Sequence, residues 1–323
     1  MQRIGQTNMQ TFEGVKEFLL QHPKGLKGAA LTIGNFDGIH RGHQMLLEIL
    51  KQQAELAQGP TVVMTFQPHP VKILAPEKDI FRLFSLEDQA EQLQNLGIQY
   101  LIREPFNLSL AQTSAKEFLE NYLIKPFQPK VFVVGHDFHF GKARAGNADF
   151  LQDHSAQYNF QVLQVAGYQI KQNIVSSSRI REALRIPDLT SVHELLGRNF
   201  SIRGKVEKGD GRGEKLGIPT ANLNPAPGWP LPKGVYITSV QHQGKTYPSI
   251  SNVGLNPTFE DTFRTLRVES FIFDLNKNLY DETIKVEFFK FLRIEKKFKD
   301  AKELIEQIQL DIKQAKDYWH GNN

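Results

Sequence analysis

The stretch Leu31–Leu50, LTIGNFDGIHRGHQMLLEIL, is the strongest indication of the fold. It begins with a short apolar run typical of a buried strand, and from Leu46 onward its apolar residues recur at helical spacing. Gly34, Gly38 and Gly42 lie between the two patterns and allow a bulky ligand to approach the backbone. Because a helix start offers unpaired amide hydrogens and the positive end of the helix dipole, this junction is predicted to bind phosphate.

Two histidines, His40 and His43, lie at the same junction. Imidazoles placed there can donate hydrogen bonds to phosphate oxygens and stabilise negative charge that develops in a transition state. A zinc site is one alternative, but no carboxylate or third histidine stands at the ligand spacing of the familiar zinc motifs. A second alternative is that both histidines are solvated residues at the start of an ordinary helix, and this pattern alone does not decide.

Outward from this stretch, residues 29–185 alternate between short apolar runs and helical patterns. The apolar runs are AALTIGNF, TVVMTF, IQYLI, KVFVVG and FQVLQVAG. Strand-helix-strand alternation predicts a parallel, doubly wound α/β sheet, which binds ligands beyond the carboxyl ends of its strands. We therefore assign residues 1–186 to a first domain of this class.

The pattern changes after Pro187, and residues 187–323 are predicted to form a second domain. Short strand-like segments separated by Gly/Pro turns predict a small antiparallel β-barrel. Apolar residues at helical spacing in residues 300–319 predict a C-terminal helix that is capped by Asp300.

The composition is that of a globular protein. Of the 323 residues, 40% are hydrophobic and 23% are charged, and the net charge of +4 is too small an excess to indicate nucleic-acid binding. The absence of cysteine excludes disulfides, thiolate catalysis and Cys-ligated metals. We find neither an apolar run that could span a bilayer nor a secretory signal. We therefore expect a cytoplasmic protein with no nucleic-acid or membrane partner, and the sequence does not indicate whether it self-associates.

A second candidate site is the glycine-rich segment GDGRGEKLGIPTANL, residues 209–223. It is not a Walker loop, because it lacks the final Gly-Lys-Ser/Thr and because Pro219 stands where a Walker loop would continue into a long helix. Thr220 and Asn222 point to one side of an extended chain, and their oxygens suit Mg²⁺. The alternative is a polar turn in which these side chains bond the backbone.

Glu269, in the strand-like run RVESFIFDL, is a candidate catalytic base. Period-two spacing puts it on the same face as Phe271 and Phe273, the more apolar face, so we expect it to point inward. A carboxylate in that setting needs a partner or a raised pKa, and it could take a proton from a hydroxyl nucleophile. The alternative is a structural ion pair with Arg267 or Arg293.

Two motifs resemble the signatures of the HxGH nucleotidyltransferase superfamily. They are GNFDGIHRGH (34–43) and VSSSRIR (175–181). Members are Rossmann-like enzymes that join a nucleoside triphosphate to a phosphate-bearing acceptor and release pyrophosphate. The resemblance implies catalytic roles for His40, His43 and Arg181, and ATP binding by Gly34, Asn35, Phe36, Asp37, Ser177, Ser178 and Arg179. The alternative for the serine run alone is a flexible loop.

Two further segments, TFQPHP (65–70) and GHDFHFGKARAG (135–146), resemble the flavin-adenylylating branch of that superfamily. The resemblance implies that these segments line the flavin side of the cleft. The flavin-binding residues it implies are Phe66, His69, Asp137, Phe138 and Phe140. Core packing is the alternative for Phe138 and Phe140, because phenylalanine side chains are most often buried in the core of a protein.

The second domain resembles riboflavin kinase through GRGEKLGIPTANL, LPKGVYIT, SNVGLNPTF, VESFIFDLNKNLYDETIKVEFF and LRIEKKF, in that order. The resemblance implies that Thr220 and Asn222 bind the magnesium-nucleotide, that Glu269 takes the proton from the ribityl hydroxyl, and that Arg293 lies near the flavin. It also implies ATP contacts from the flap glycines Gly211, Gly213 and Gly217.

Together the motifs identify the chain as similar to bifunctional riboflavin kinase/FMN adenylyltransferases over nearly its whole length. This resemblance implies small-molecule substrates: the chain is expected to make FMN from riboflavin and FAD from FMN, using ATP and Mg²⁺. Three alternatives remain at this point: an adenylyltransferase for another acceptor, a flavin-binding protein without catalysis, and an oligonucleotide-binding module. FAD formation, ATP consumption and salt-dependent single-strand binding would separate them.

Overall fold

The chain divides into two compact units. Residues up to Arg82 together with Leu86–Ser176 form the first, and Leu83–Ser85 together with the residues from Ser177 onward form the second. This division falls before the predicted boundary at 186/187, so the helix that begins within the serine run groups with the second unit. The computed structural model describes residues 8–78, 80–209, 213, 217–224, 230–255, 266–275 and 277–321.

The first unit is built on a six-stranded parallel sheet, which confirms the predicted α/β class. In chain order its elements are β1 (Gln10–Phe12), α1 (Val15–Gln21), β2 (Ala30–Ile33), α2 (Arg41–Ala57), β3 (Thr61–Gln67), α3 (Pro70–Leu74), α4 (Leu86–Asn95), β4 (Tyr100–Pro105), α5 (Leu108–Ala111), α6 (Ala115–Phe118), a π-helical turn (Leu119–Ile124), α7 (Lys125–Phe127), β5 (Val131–Gly135), a 3-10 turn (Lys142–Arg144), α8 (Ala148–Tyr158), β6 (Gln161–Val165) and the small hairpin β7 (Gln169–Ile170) and β8 (Asn173–Ile174).

The strand order of this sheet locates its ligand crevice. The order is β1–β4–β3–β2–β5–β6, so it reverses between β2 and β5. Ligands of such sheets bind at that reversal, beyond the carboxyl ends of the strands, an edge that we call the carboxyl edge. β2 ends at Ile33 and β5 ends at Gly135. The two segments that begin there are therefore the glycine-histidine junction and GHDFHF.

Burial of β2 and α2 explains why this part of the sequence folds as it does. All four β2 residues are buried, as expected for a parallel strand that is covered on both faces. α2 buries Leu46, Leu47, Leu50 and Ala54, which recur at the spacing of one helix face. The packed stripe orients the first turn of α2 toward the carboxyl edge.

The second unit contains a six-stranded antiparallel sheet. Its elements are α9 (Ser177–Arg185), α10 (Leu189–Leu196), β9 (Phe200–Lys205), β10 (Ala221–Leu223), β11 (Gly234–His242), β12 (Lys245–Leu255), β13 (Leu266–Ile272), β14 (Thr283–Arg293) and α11 (Ala301–Gly321). The strand order is β10–β13–β12–β11–β14–β9. The sheet curls far enough for one antiparallel bridge, Glu207–Asn222, to connect the chain just after β9 to β10 at the opposite end of that order. The predicted antiparallel barrel and C-terminal helix are thereby confirmed.

Helix α11 covers part of one face of this curled sheet. Ala315 is fully buried in a cluster with Val235 and Ile250, and Phe271 packs against that cluster. The helix begins as predicted, since Asp300 Oδ1 accepts a hydrogen bond from the Glu303 amide at 2.9 Å. Among the described residues, no helix is both long and apolar enough to cross a membrane.

Candidate functional site

The loop after β2 is held in a fixed, strained conformation. Phe36 and Ile39 have positive φ angles of 46° and 35°, yet both side chains are buried. Bulky residues keep such angles only where the surroundings impose them. Here the Asn35 carbonyl accepts hydrogen bonds from Gln89 Nε2 at 3.1 Å and Thr65 Oγ1 at 3.2 Å. The loop is therefore preorganised ahead of ligand binding.

His40 and His43 form a stacked pair at the start of α2. Their ring centroids are 3.7 Å apart with an interplanar angle of 15°. His40 caps the helix, because its Nδ1 accepts a hydrogen bond from the His43 amide at 3.3 Å. Nδ1 therefore carries no hydrogen, and in the neutral ring the hydrogen lies on Nε2. A Cβ at Gly42 would lie 3.2 Å from the His40 ring, so this close arrangement depends on a glycine.

The zinc alternative finds no support in this geometry. Two parallel rings stacked face to face do not direct their nitrogens at one point between them. Within the described part of the chain, no group of three or more His, Asp or Glu side chains could hold a metal ion. The helix-cap alternative is correct for His40, but His40 is buried rather than solvated.

The phenylalanines of the GHDFHF segment belong to the hydrophobic core. Phe138 and Phe140 are buried, with ring centroids 5.4 Å apart, and Phe140 also contacts Phe118 and Phe150. This burial supports the core-packing alternative for both rings. Phe66, at the end of β3, is only half-buried and remains a predicted flavin contact.

The polar members of the predicted flavin set differ in what they already bind. His69 caps α3, since its Nδ1 accepts a hydrogen bond from the Val71 amide at 3.2 Å. The Asp137 side chain is 82% exposed and lies 3.9 Å from His136 Nδ1. Only Asp137 is therefore fully open to solvent, while one nitrogen of His69 is engaged in the fold.

The second nucleotidyltransferase signature starts helix α9. Ser177 is its first residue, and Ser178 is exposed. Ile180 is fully buried, whereas Arg179 and Arg181 on either side of it are half-buried. This helix belongs to the second unit, while the histidine pair belongs to the first.

The riboflavin-kinase motifs meet in one line across the curled sheet. Asn222 on β10 lies opposite Glu269 on β13, which lies opposite Asn252 on β12. Asn252 in turn lies opposite Val235 on β11, and Val235 opposite Arg293 on β14. Residues directly opposite on paired strands share a face of the sheet. We call these five residues the cross-strand row; it joins three predicted site residues that are far apart in sequence.

Asn222 has the environment of a cation ligand. Its Nδ2 donates to the Thr220 carbonyl at 3.2 Å, while its Oδ1 is buried without a hydrogen-bond partner among the described residues. A buried amide oxygen without a partner is unfavourable, and an oxygen ligand of this type suits Mg²⁺. A Cβ at Gly209 would lie 2.4 Å from Asn222 Nδ2, so the backbone at Gly209 approaches this side chain closely.

The flap glycines are described only in part. The Gly213 carbonyl accepts a hydrogen bond from the Ile218 amide at 2.8 Å. Gly217 has a φ of +74° and is exposed. Gly211 lies outside the described residues.

The expected inward orientation of Glu269 is wrong. Val268, Ser270 and Ile272 are the buried residues of β13, and Glu269 is half-buried on the opposite face. The serine is tolerated inside because its hydroxyl bonds Ser251 Oγ at 2.7 Å, which bonds Thr238 Oγ1 at 2.8 Å. The aromatic residues that share the face of Glu269 pack with the cluster beneath α11 instead. Glu269 is thus neither sealed in the interior nor fully open to water.

Arg293 is bound to α11. Its Nε lies 3.0 and 3.1 Å from the two Asp311 oxygens, and its Nη2 lies 2.6 Å from Asp311 Oδ2. Nη1 donates to the Ile294 carbonyl at 3.1 Å. The alternative ion pair between Glu269 and Arg293 is therefore not formed. Sequence reasoning missed the buried Asp311, because nothing local marks which polar residue of an amphipathic helix faces a distant strand.

Glu104, at the carboxyl edge of β4, is a second buried acid that the sequence analysis missed. Burial raises its pKa, although a hydrogen bond that it accepts from the Val15 amide at 2.7 Å acts in the opposite direction. Its only signal in the sequence is a charged residue near the end of the apolar run IQYLI. The carboxylate caps the start of α1.

Two protein-family models match the chain. The model described as FAD synthetase matches residues 22–179, and the model described as riboflavin kinase matches residues 196–319. The first match includes the histidine pair, and the second includes the cross-strand row.

Curated relatives and one solved structure resemble the chain over most of its length. A bifunctional riboflavin kinase/FMN adenylyltransferase of Buchnera aphidicola subsp. Schizaphis graminum is 35% identical and covers 90% of this chain and 94% of the relative. That of Escherichia coli K12 is 34% identical, covering 91% and 93%. A crystal structure described as a macrolide-efflux protein from Streptococcus pneumoniae has a TM-score of 0.83 at 29% identity, covering 96% of this chain and 99% of that chain.

Proposed function

The chain belongs to the family of bifunctional riboflavin kinase/FMN adenylyltransferases, and we propose which of its residues carry the two steps. The C-terminal domain phosphorylates riboflavin with ATP to give FMN, and the N-terminal domain adenylylates FMN with ATP to give FAD and pyrophosphate. The observation that carries our residue assignment is the cross-strand row, which sets the candidate base Glu269 opposite the candidate metal ligand Asn222.

In the kinase step, Glu269 accepts the proton of the ribityl hydroxyl as the hydroxyl oxygen attacks the γ-phosphorus of ATP. The bond from that phosphorus to the β-phosphate oxygen breaks, and ADP leaves. A half-buried carboxylate suits this role, since it is accessible to a substrate while water around it is reduced. The glycine-rich flap, with Gly213 and Gly217, contacts ATP in this proposal. Arg293, which is paired with Asp311 of α11, lies near the flavin.

Thr220 and Asn222 would hold Mg²⁺ at this site. The unpartnered, buried Oδ1 of Asn222 is the observation that fits such a ligand. When bound, Mg²⁺ would neutralise charge on the ATP phosphates.

The adenylylation step needs no base, because the FMN phosphate is already an anion. Its oxygen attacks the α-phosphorus of ATP, and pyrophosphate leaves. Positioning and charge stabilisation can supply the catalysis. We assign charge stabilisation to His40, His43 and Arg181. The residues that we assign to ATP binding are Gly34, Asn35, Phe36, Asp37, Ser177, Ser178 and Arg179.

Phe66, His69 and Asp137 form the flavin side of this second site in our proposal, while Phe138 and Phe140 support it from the core. Both steps consume ATP, which supports a cytoplasmic location. The direct test is incubation of the protein with riboflavin, ATP and Mg²⁺, with the products separated by chromatography. Successive appearance of FMN and FAD is expected; formation of neither product would refute the proposal.

A further inference from the structure

Arg82 lies at the carboxyl edge of the sheet beside the predicted flavin side. Its Nη1 donates a hydrogen bond to Gln67 Oε1 at 2.6 Å. Gln67 is the last residue of β3 and comes directly after the half-buried Phe66. The guanidinium is thereby tied to the strand end where the flavin is expected to bind.

The remaining donors of Arg82 are not used by the fold. Its Nε is buried and has no hydrogen-bond partner among the described residues. Its Nη2 makes no hydrogen bond within the same part of the chain. A buried donor on a charged group is unfavourable without an acceptor. The fold therefore holds the Arg82 guanidinium in place at this edge. Two of its donor nitrogens, Nε and Nη2, are available to an acceptor on a bound ligand.

Charged side chains of both signs act on Arg82. Asp37, which is buried in the loop after β2, and Glu87 in the first turn of α4 attract the guanidinium, whereas Arg103 on β4 repels it. Both terminal nitrogens of Arg103 are engaged, since they donate to the Leu86 carbonyl at 2.7 Å and to Glu13 at 3.3 Å, while its Nε is buried without a partner among the described residues. Burial is the main reason that the pKa of Arg82 is lowered. An anion bound at Arg82 would offset both the burial and the repulsion.

The adenylylation step requires such a group. The phosphate of FMN must approach a triphosphate of the same charge sign, and a guanidinium can present two parallel N–H donors to phosphate oxygens. Among the residues assigned above to the flavin side, Phe66 is apolar, His69 has one nitrogen engaged as a cap, and Asp137 is an anion. None of them supplies a permanent positive charge.

We propose that Arg82 binds the phosphate group of FMN and positions it for attack on ATP. This inference rests on the proposed function of the N-terminal domain. It concerns a binding contact to the acceptor phosphate, so it predicts discrimination between FMN and riboflavin rather than a general loss of flavin affinity.

The test compares two flavins at the adenylylation site. Glu269→Gln is used as the background, because it should suppress phosphorylation of riboflavin during the assay. In this background, adenylylation kinetics give the KM for FMN and the inhibition constant of riboflavin as a competitor. Adding Arg82→Gln should raise the KM for FMN about tenfold to a hundredfold, as expected for loss of a hydrogen bond to a charged group, and leave the riboflavin constant unchanged.

Lys72→Gln is the matched control, because Lys72 is an exposed cation on α3 and the net charge changes equally. It should leave both constants unchanged. An equal weakening of FMN and riboflavin in Arg82→Gln would indicate a structural role and overturn the inference, and so would an equal effect of Lys72→Gln. If the background variant forms no FAD from FMN, the proposed function itself fails; if it forms FAD and Arg82→Gln does not alter the KM, only the inference fails.

Discussion

Asn222 and Glu269 stand directly opposite each other on the adjacent antiparallel strands β10 and β13. Opposite residues in such a pair have Cβ atoms about 4.5–5.5 Å apart, so the two side chains share one small region of the sheet surface. An amide oxygen and a carboxylate at that separation can serve the same phosphoryl transfer. The amide oxygen would bind the metal ion at the ATP phosphates, and the carboxylate would take the proton of the attacking hydroxyl. The relationship requires the pairing of segments that are remote in sequence.

Glu269→Gln should abolish most riboflavin kinase activity and preserve adenylylation of FMN. Loss of a positioned general base typically costs about a hundredfold to ten-thousandfold in rate. Both activities should be measured on the same preparation, with FMN supplied directly for the second. A parallel loss of both activities in folded protein would contradict the assignment of Glu269 to one site.

Asn222→Leu should weaken the Mg²⁺ dependence of the kinase step. The substitution keeps approximately the same volume but removes the buried Oδ1. The Mg²⁺ concentration for half-maximal kinase activity should rise about tenfold to a hundredfold, the range seen when groups that hold a metal are disturbed. Asn224→Leu is the control, since Asn224 is an exposed asparagine just after β10; an equal shift in that variant would argue against a metal ligand at Asn222.

His43→Ala should slow adenylylation by about a hundredfold, the effect of removing one donor to developing charge. It should leave the kinase step intact. His43 stacks on His40, so the ring orientation of His40 also loses support. His40→Ala should in addition destabilise α2 by about 1 kcal/mol, because it removes the N-cap. Single-turnover rates and thermal unfolding of both variants separate these effects.

Glu104→Gln should stabilise the first unit at neutral pH. Because burial raises the pKa of Glu104 above its ordinary value of 4.5, the stability associated with its protonated form is present below about pH 4.5 and is lost as the pH rises through the folded-state pKa. Glutamine stays neutral and can still accept the hydrogen bond from Val15. Thermal unfolding should show a higher Tm than the parent at pH 7.

The difference for Glu104→Gln should disappear as the pH approaches 4.5. Glu55→Gln provides the control, as Glu55 is exposed on α2. An unchanged or lower Tm of Glu104→Gln at pH 7 would show that the carboxylate, rather than its neutral form, is needed at the start of α1.

Asp311→Asn should loosen α11 from β14. The pair between Arg293 and Asp311 joins the helix to the last residue of the strand, and Asp311 is 3% exposed. Losing a hydrogen bond to a charged group should cost about 1.5–3 kcal/mol of unfolding free energy. Urea unfolding monitored by circular dichroism measures this. Asp317→Asn, at an exposed position of the same helix, should change the unfolding free energy little.

Local sequence patterns were sufficient for several features. The apolar runs and helical stripes predicted the parallel sheet and α11, because strand and helix periodicity depends on neighbours along the chain. The cap at Asp300 was predicted for the same reason. The motifs also supplied the candidate residues of the two sites, because each motif carries particular side chains in a short segment; their roles stay predictions.

The sequence by itself determined the classes of the two domains and the histidine junction, and it supplied the candidate catalytic residues. Only the tertiary structure decided that Glu269 shares the face partly covered by α11, that Phe138 and Phe140 lie in the core, and that Arg293 binds Asp311. These outcomes depend on which strand or helix covers a given face, and period-two spacing separates the two faces of a strand without saying which one is buried. The environment of Arg82 also depends on the tertiary structure. Its lack of hydrogen-bond partners among the described residues can be established only from the positions of the ends of β3 and β4 and of the loop after β2.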